Sequence, residues 1–253
     1  MTIDRVAATG FQAGAGAYER ARPGYPSDAV AWLTDRLGVG PGSRVVDLGA
    51  GTGKFTVSLI EAGARVVAVE PVEAMRSQLA AVVPEASIVA GAAEAIPLTG
   101  GSMDAVVAAQ AFHWFDAARC LPEIHRVLAA GGRLGLMWNA RDRSTPWVDQ
   151  LSEIVDAYGD AIRRHESGEW RTAFPSPGFG PLEERIFSNI QRISPEGIVD
   201  RVASTSFIAR LPEVDRAGVL ERIRELVRTN PETRDRDLID FPHQTRAYWC
   251  ERI

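Results

Sequence analysis

The chain has 253 residues, of which 45% are hydrophobic and 24% are charged, and its formal net charge is −5. These values are typical of a globular protein, and they argue against broad nucleic-acid binding, which usually requires a basic surface. Cys120 and Cys250 lack the spacing of metal ligands. We therefore expect no metal site and no disulfide, but packed thiols in a reducing compartment.

The sequence carries no sign of export or membrane insertion. Residues 1–10 lack the apolar core of a signal peptide. The longest uncharged apolar stretch, residues 105–115, is shorter than the ~18 residues that a membrane span requires. We expect a cytoplasmic protein; its oligomeric state has no readable signal.

The first forty residues precede the predicted sheet. Residues 11–26 are rich in Gly, Ala, Pro and Arg, which predicts a loop with a short helix. An amphipathic helix is predicted over 27–38, and the turn Gly40-Pro41-Gly42 follows it.

The next hundred residues alternate between strand and helix patterns. Strands are predicted at 44–48, 65–69, 87–90, 104–109 and 133–138, with helices at 53–62, 72–82 and 116–129. This alternation predicts a parallel, doubly wound sheet with ligands at the carboxyl ends of its strands. Asp47, Glu70, Glu94 and Gln110 all fall at or just after strand ends, so one crevice can collect them.

The pattern changes after residue 140. A helix from 147 to about 165 precedes a Pro- and Gly-rich loop at 174–181, and alternation over 183–193 predicts an antiparallel strand. Helices are predicted from Pro195 and over 214–229, and a last strand over 245–253. We expect the helical insertion between the last two strands to pack with 141–180 as a cap over the active-site mouth.

A glycine-rich turn follows the first predicted strand, in the order Asp47-Leu48-Gly49-Ala50-Gly51-Thr52-Gly53-Lys54. A phosphate-binding P-loop would need glycine at Leu48 and a hydroxyl at Phe55. The dinucleotide fingerprint would need its third glycine at Lys54, and the Asp47 carboxylate would repel a pyrophosphate. A P-loop and a dinucleotide-binding turn are therefore both disfavoured, whereas a carboxylate suits a cofactor that carries an ammonium group.

The pattern D-x-G-x-G-x-G, together with Glu70 at the end of the second strand, resembles the class I S-adenosylmethionine-dependent methyltransferases. The resemblance continues through 91–98, 104–115 and 128–136, and covers about 41–140. It implies an α/β fold, a doubly wound, seven-stranded, mostly parallel sheet with a helical cap. Residues 1–253 would form one methyltransferase domain, divided into an N-terminal lid and helix (1–40), a cofactor-binding core (41–140), and a helical cap with the C-terminal strands (141–253).

The same resemblance implies the residues that hold S-adenosyl-L-methionine. The glycine turn would bind the methionine part, Asp47 its ammonium, and Glu70 the ribose diol. The segment after the third strand would contact the adenine. The predicted cofactor residues are Asp47, Gly49, Ala50, Gly51, Glu70, Pro71, Ala93, Glu94 and Gln110.

An aromatic cluster, Phe112-His113-Trp114-Phe115, follows the fourth strand and is the candidate substrate wall. His113 is the candidate general base, because imidazole titrates near neutrality. The alternative is a cluster that only fills the core. Trp138, at the end of the fifth strand, also lies where it can face the acceptor.

The leader Tyr-x-x-x-Arg-Pro-x-Tyr-Pro is similar to that of trans-aconitate methyltransferase-like enzymes. In that subgroup the leader folds over the cofactor, so its residues are candidates for a lid and for binding an acidic substrate. These are Phe11, Tyr18, Arg22 and Tyr25.

The leading functional hypothesis is methyl transfer to a small-molecule acceptor, by O-methylation of a carboxylate or hydroxyl. C- or N-methylation of a ring or lipid-like substrate stays open, as does a protein that binds the cofactor without turnover. An NAD-dependent oxidoreductase is disfavoured by Lys54, and a nucleic-acid methyltransferase by the lack of a motif such as Asn-Pro-Pro-Tyr.

Overall fold

A computed structural model describes residues 22–159, 167–205 and 207–253. Its central feature is one seven-stranded sheet in the order β3-β2-β1-β4-β5-β7-β6. The first five strands are mutually parallel, and β7 runs antiparallel to β5 and β6. The strands are β1 Arg44–Leu48, β2 Arg65–Val69, β3 Ser87–Val89, β4 Met103–Ala109, β5 Leu128–Arg141, β6 Glu183–Ile193 and β7 Ile239–Glu251. The predicted fold class is confirmed.

Helices follow the strands in the alternation that the sequence predicts. They are α1 Ser27–Leu37, α2 Lys54–Glu61, α3 Glu73–Val82, α4 Ala117–Val127, α5 Pro146–Asp156, α6 Pro195–Ala203 and α7 Glu213–Thr229. Short 3-10 helices lie at Phe112–Trp114 and Glu169–Ala173. The part of the chain that the structure describes contains no helix long and apolar enough to cross a membrane.

The sheet is covered on both faces, because successive side chains of a strand point to opposite sides. In β1, Val45 packs with Leu33 of α1, whereas Val46 packs in the cluster that contains Ile124 of α4. Both faces of the parallel strands are therefore apolar, and polar side chains gather at the carboxyl ends.

A second apolar core lies in the C-terminal half. Trp147 of α5, Val199 of α6 and Ile223 of α7 pack with Phe241 at the start of β7. Helix α6 begins where Ser194 accepts a hydrogen bond from the amide of Gly197 (3.1 Å), which satisfies one free donor of its first turn. Through this shared core, α6 and α7 form one packed unit with α5.

Three predicted boundaries differ from the observed ones by five residues or more. Strand β7 begins at Ile239, six residues before the predicted start, and Pro242, which lacks an amide donor, hides this start in the sequence. Strand β5 begins at Leu128, because that residue pairs with Met103 ahead of a bulge. Helix α5 ends at Asp156, before residues 160–166, which lie outside the described part.

Candidate functional site

A cleft opens at the carboxyl ends of β1, β2 and β4, and encloses about 1270 Å³ with its open mouth included. It lies where doubly wound sheets usually bind their ligands. All nine residues predicted to bind the cofactor line it, namely Asp47, Gly49, Ala50, Gly51, Glu70, Pro71, Ala93, Glu94 and Gln110. The structure thus brings together residues that lie up to 63 positions apart.

The glycine turn forms the floor of the cleft. Gly49 has φ +71° and Gly51 has φ +58°, a backbone conformation that residues other than glycine rarely adopt. A Cβ atom on Gly49 would lie 2.8 Å from Cβ of Ala111. The turn is fixed to the second strand, since the amide of Gly49 donates to the carbonyl of Val69 (2.8 Å).

Glu70 orders the same turn from the end of β2. Its Oε2 accepts from the amide of Gly51 (2.9 Å), and its Oε1 accepts from the amide of Val72 (2.8 Å). Burial raises the pKa of Glu70, while these two amides and the charge of Arg76 oppose the shift. Each carboxylate oxygen can accept a further hydrogen bond, so Glu70 fits a ligand that presents two hydroxyls.

Asp47 is the most buried acid of the cleft, with 1% of its surface exposed. Its Oδ2 accepts from the hydroxyl of Thr56 (2.6 Å), whereas Oδ1 has no hydrogen-bond partner. Burial raises the pKa of Asp47 to about 7, opposed by the Thr56 hydroxyl and assisted by the charge of Glu70. A buried carboxylate oxygen without a partner is costly, so this atom fits an ammonium donor on a ligand.

The loop after β3 forms the side wall of the cleft. Ala93 is buried in it, and Glu94 accepts a hydrogen bond from the amide of Asp116 (2.9 Å). The loop is held by α4, because Glu123 accepts from the amide of Ile96 (2.9 Å) and Arg126 donates to the carbonyl of the same residue (2.8 Å). The Glu94 side chain therefore also fixes this wall to the segment before α4.

Gln110 follows β4 and has φ +58°, which is unusual for a residue with a side chain. Its amide donates to the carbonyl of Met137 (2.8 Å), and its side chain donates to the carbonyl of Asn139 (3.2 Å). Two contacts to β5 thus hold an unfavourable backbone conformation at the edge of the cleft, as is often seen at functional sites.

The aromatic cluster divides between the cleft and the core. Trp114 and Phe115 line the cleft. Phe112 and Trp138, both predicted to face the acceptor, are instead 1% exposed and pack against Trp170. Large aromatic rings on the same face of a sheet bury the most apolar surface when they pack together in the core. Phe112 and Trp138 can therefore shape the site only through the neighbouring side chains that they hold in place.

His113 lies beside the cleft rather than in it. It lines a neighbouring cavity together with Phe112, Phe115, Glu169 and Trp170, and Phe115 also lines the cleft. The indole Nε1 of Trp138 donates to its Nδ1 (3.0 Å). In the neutral ring that accepts this bond, the proton is on Nε2.

The N-terminal predictions fall partly outside the described residues. Arg22 and Tyr25 line the cleft, and the Tyr25 ring meets that of Phe55 edge-on with centroids 5.2 Å apart. Phe11 and Tyr18 lie outside the residues that the structure describes.

Several lining residues were not predicted, among them Pro23, Lys54, Phe55 and Met75. Lys54 is the only lysine of the chain and directly follows the third glycine of the turn, so its position at the start of α2 was the available signal. The Nζ atom of Lys54 donates to the carbonyl of Arg22 (2.8 Å).

Comparisons with known proteins point to one family. Residues 46–136 match the model of a methyltransferase domain. An uncharacterized methyltransferase of Mycobacterium tuberculosis is 41% identical over 235 residues, which cover 93% of this chain and 92% of that protein.

Solved structures share the fold. A putative type II methyltransferase from Anaeromyxobacter dehalogenans has a TM-score of 0.70 at 25% identity, covering 91% of this chain and 97% of that one. A phosphoethanolamine N-methyltransferase from Haemonchus contortus, solved with phosphomonomethylethanolamine and S-adenosylhomocysteine, has a TM-score of 0.58 at 16% identity, covering 100% of this chain and 60% of that one.

Proposed function

The chain belongs to the S-adenosylmethionine-dependent methyltransferases, and we propose that it methylates a small-molecule acceptor, by O-methylation of a carboxylate or hydroxyl. The cofactor, when bound, supplies an activated methyl group. The residues of the chain then have to bind the cofactor, bring the acceptor close and exclude water.

The observation that carries the cofactor assignment is the pair of buried carboxylates on either side of the glycine turn. Oδ1 of Asp47 is buried without a partner, which suits the ammonium of the methionine part. Glu70 keeps acceptor capacity on both oxygens beyond its two amide bonds, which suits the ribose diol. Ala93 and Pro71 line the cleft beyond Glu70, where an adenine would lie.

The acceptor assignment rests on the mouth of the cleft. Trp114, Phe115 and Tyr25 give it an apolar wall, and Arg22 supplies a guanidinium. A guanidinium binds carboxylates in a two-pronged geometry, which favours an acidic acceptor. The likeness to the trans-aconitate methyltransferase-like subgroup is part of this proposal.

Calorimetric titration of S-adenosylhomocysteine, S-adenosylmethionine and NAD tests the cofactor assignment. We expect the two adenosyl ligands to bind and NAD not to bind. Glu70→Ala removes the carboxylate that orders the turn through the amide of Gly51 and that would accept from the ribose diol, so affinity should fall by about 100-fold or more. Glu73→Ala, an exposed acid three residues on, is the matched control and should bind as the unmodified chain does.

A screen of small-molecule acceptors with labelled cofactor then tests the acceptor class. Transfer to carboxylates or hydroxyls, with a raised KM for carboxylates in Arg22→Gln, supports the proposal. Transfer to ring carbons, amines or lipid-like molecules would establish the alternative substrate class. Tight binding without transfer to any acceptor would favour a protein that only binds the cofactor.

We also propose a cytoplasmic location. Cys120 and Cys250 are both free and buried, and burial raises the pKa of both thiols. Unpaired, protonated thiols of this kind suit a reducing compartment. The location is tested by expressing a tagged copy of the chain in cells and finding which cell fraction contains it.

A further inference from the structure

Residues 22–25 form a wall of the cleft without belonging to any helix or strand. Arg22, Pro23 and Tyr25 line the cleft, and helix α1 begins just after them. Pro23 and Pro26 have no amide hydrogen, so this segment cannot join the sheet as a regular strand. Its carbonyl groups can still accept hydrogen bonds from side chains of other elements.

Three successive carbonyls of this segment accept hydrogen bonds from side chains of three distant elements. The carbonyl of Arg22 accepts from Nζ of Lys54, at the start of α2 (2.8 Å). The carbonyl of Gly24 accepts from Nδ2 of Asn139 (3.1 Å) and from Nδ2 of Asn189 (2.9 Å). A longer contact of 3.4 Å joins Asn139 to the carbonyl of Pro23. Side-chain donors from α2, β5 and β6 thus replace the ladder that the segment lacks.

The two asparagines are held in the orientation that this requires. The Oδ1 atom of Asn139 accepts from the hydroxyl of Thr245 and from Nδ2 of Asn189 (3.1 Å), so its own Nδ2 faces the segment. Asn139 and Thr245 are direct partners in the β5–β7 ladder, and Thr245 is fully buried. The three side chains therefore form one hydrogen-bonded cluster across three adjacent strands.

Asn139 holds a second wall of the cleft as well. Its backbone carbonyl accepts from the side chain of Gln110 (3.2 Å), which also lines the cleft. One residue at the end of β5 is thus bonded to both the segment before α1 and the turn after β4. Among the residues that the structure describes, none of those lining the cleft belongs to β6 or β7.

We infer that Asn139, Asn189 and Thr245 are positioning residues that hold the segment Arg22–Tyr25 as a wall of the cofactor cleft. The affinity for the cofactor then depends on the antiparallel pair β6–β7, which does not itself line the cleft. This inference rests on the proposed cofactor site. It concerns binding through a held backbone and requires no contact between these three side chains and the cofactor.

The test measures S-adenosylhomocysteine affinity by calorimetry in Asn139→Ala, Asn189→Ala and Thr245→Val. Each variant loses between two and four hydrogen bonds of the cluster, so the dissociation constant should rise about 3- to 10-fold. Ser188→Ala, on the same strand β6 but exposed, is the matched control and should leave the affinity unchanged.

A spectroscopic readout separates positioning of the segment from a general loss of stability. Gly24-Tyr25 is the only Gly-Tyr pair in the chain. Labelling glycine with carbonyl ¹³C and tyrosine with ¹⁵N therefore gives a single carbonyl-to-amide correlation peak, which reports on the Gly24 carbonyl. This peak should move in Asn189→Ala and stay in place in Ser188→Ala.

The outcomes separate this inference from the proposed function. Binding by the unmodified chain, with weaker binding and a moved peak in the cluster variants, supports it. Equal affinity in all variants would overturn the inference and leave the cofactor site standing, whereas no binding by the unmodified chain would overturn both. If Asn189→Ala does not fold, Asn189→Asp keeps the volume, removes the donor and carries the same expectation.

Discussion

The indole nitrogen of Trp138 donates a hydrogen bond to Nδ1 of His113, 25 residues earlier in the chain (3.0 Å). An indole N–H can only donate, so the imidazole must accept at Nδ1 and carries its proton on Nε2. A proton added at Nδ1 would place two N–H donors against each other. The arrangement therefore favours His113 as a hydrogen-bond donor over the general base that the sequence predicts.

Ring ¹⁵N spectra at neutral pH should show His113 with its proton on Nε2, and Trp138→Phe should remove this preference. The His113 signal is identified by its loss in His113→Gln. Once an acceptor is known, His113→Gln should retain transfer to within about tenfold, because the glutamine amide still donates. A loss of about 10²- to 10⁴-fold would instead establish the general base.

The sequence predicts the strand–turn–helix unit well, because its signals are local. Asp47, the glycine turn and Glu70 occupy the predicted places in the fold, since parallel strands carry their ends to one edge of the sheet. The contacts of Asn189 with Gly24 join residues 165 positions apart, and no local pattern encodes them. The same limit applies to Phe112, because an aromatic residue after a strand fits a cleft and a core equally well.

The glycine turn gives a prediction with an internal control. Gly49 and Gly101 have nearly the same φ, +71° and +67°, so alanine costs about 1–2 kcal/mol of backbone strain at either site. Only at Gly49 would the new Cβ meet another atom, Cβ of Ala111 at 2.8 Å, whereas nothing lies within 4 Å at Gly101. Gly49→Ala should therefore lose about 1–3 kcal/mol more in the free energy of unfolding.

Denaturant unfolding of the two variants measures this difference, and calorimetry should show that Gly49→Ala also loses S-adenosylhomocysteine binding. Equal destabilisation of the two variants would mean that the turn tolerates a side chain facing Ala111.

The second apolar core provides a test of how the C-terminal helices contribute to stability. Val219 and Val214 lie on the same helix α7, but Val219 is fully buried whereas Val214 is 84% exposed. Val219→Ala removes two buried methyl groups and leaves a cavity, so the free energy of unfolding should fall by about 2 kcal/mol. Val214→Ala should change it by less than about 0.5 kcal/mol.

Thermal unfolding monitored by circular dichroism distinguishes two forms of this result. One transition that shifts as a whole means that α7 unfolds together with the sheet. A separate early transition in Val219→Ala would show that the helices unfold on their own. The affinity for S-adenosylhomocysteine should stay unchanged at 25 °C, because the cleft-lining residues that the structure describes do not include α7.

Asp47 should make cofactor affinity depend on pH. Burial raises the pKa of Asp47 to about 7, with a further contribution from Glu70 and opposition from the Thr56 hydroxyl. The ionised form is the one that attracts an ammonium group, so the free protein must release this proton when it binds. Affinity for S-adenosylhomocysteine should therefore rise by about tenfold between pH 6 and pH 8. Asp104→Asn, which changes a partly exposed acid at the other end of the sheet, in β4, should leave this rise intact.

The same shift predicts the opposite dependence for the stability of the ligand-free protein. The folded chain retains a proton on Asp47 that the unfolded chain releases above a pKa of 3.8, so this residue lowers stability as the pH rises from about 4 to about 7. Asp47→Asn removes the buried charge and should abolish both dependences. Denaturant unfolding from pH 4 to pH 8 measures the pH dependence of stability, and calorimetry measures that of cofactor affinity. If Asp47→Asn keeps the tenfold rise in affinity, a titratable group other than Asp47 causes that rise.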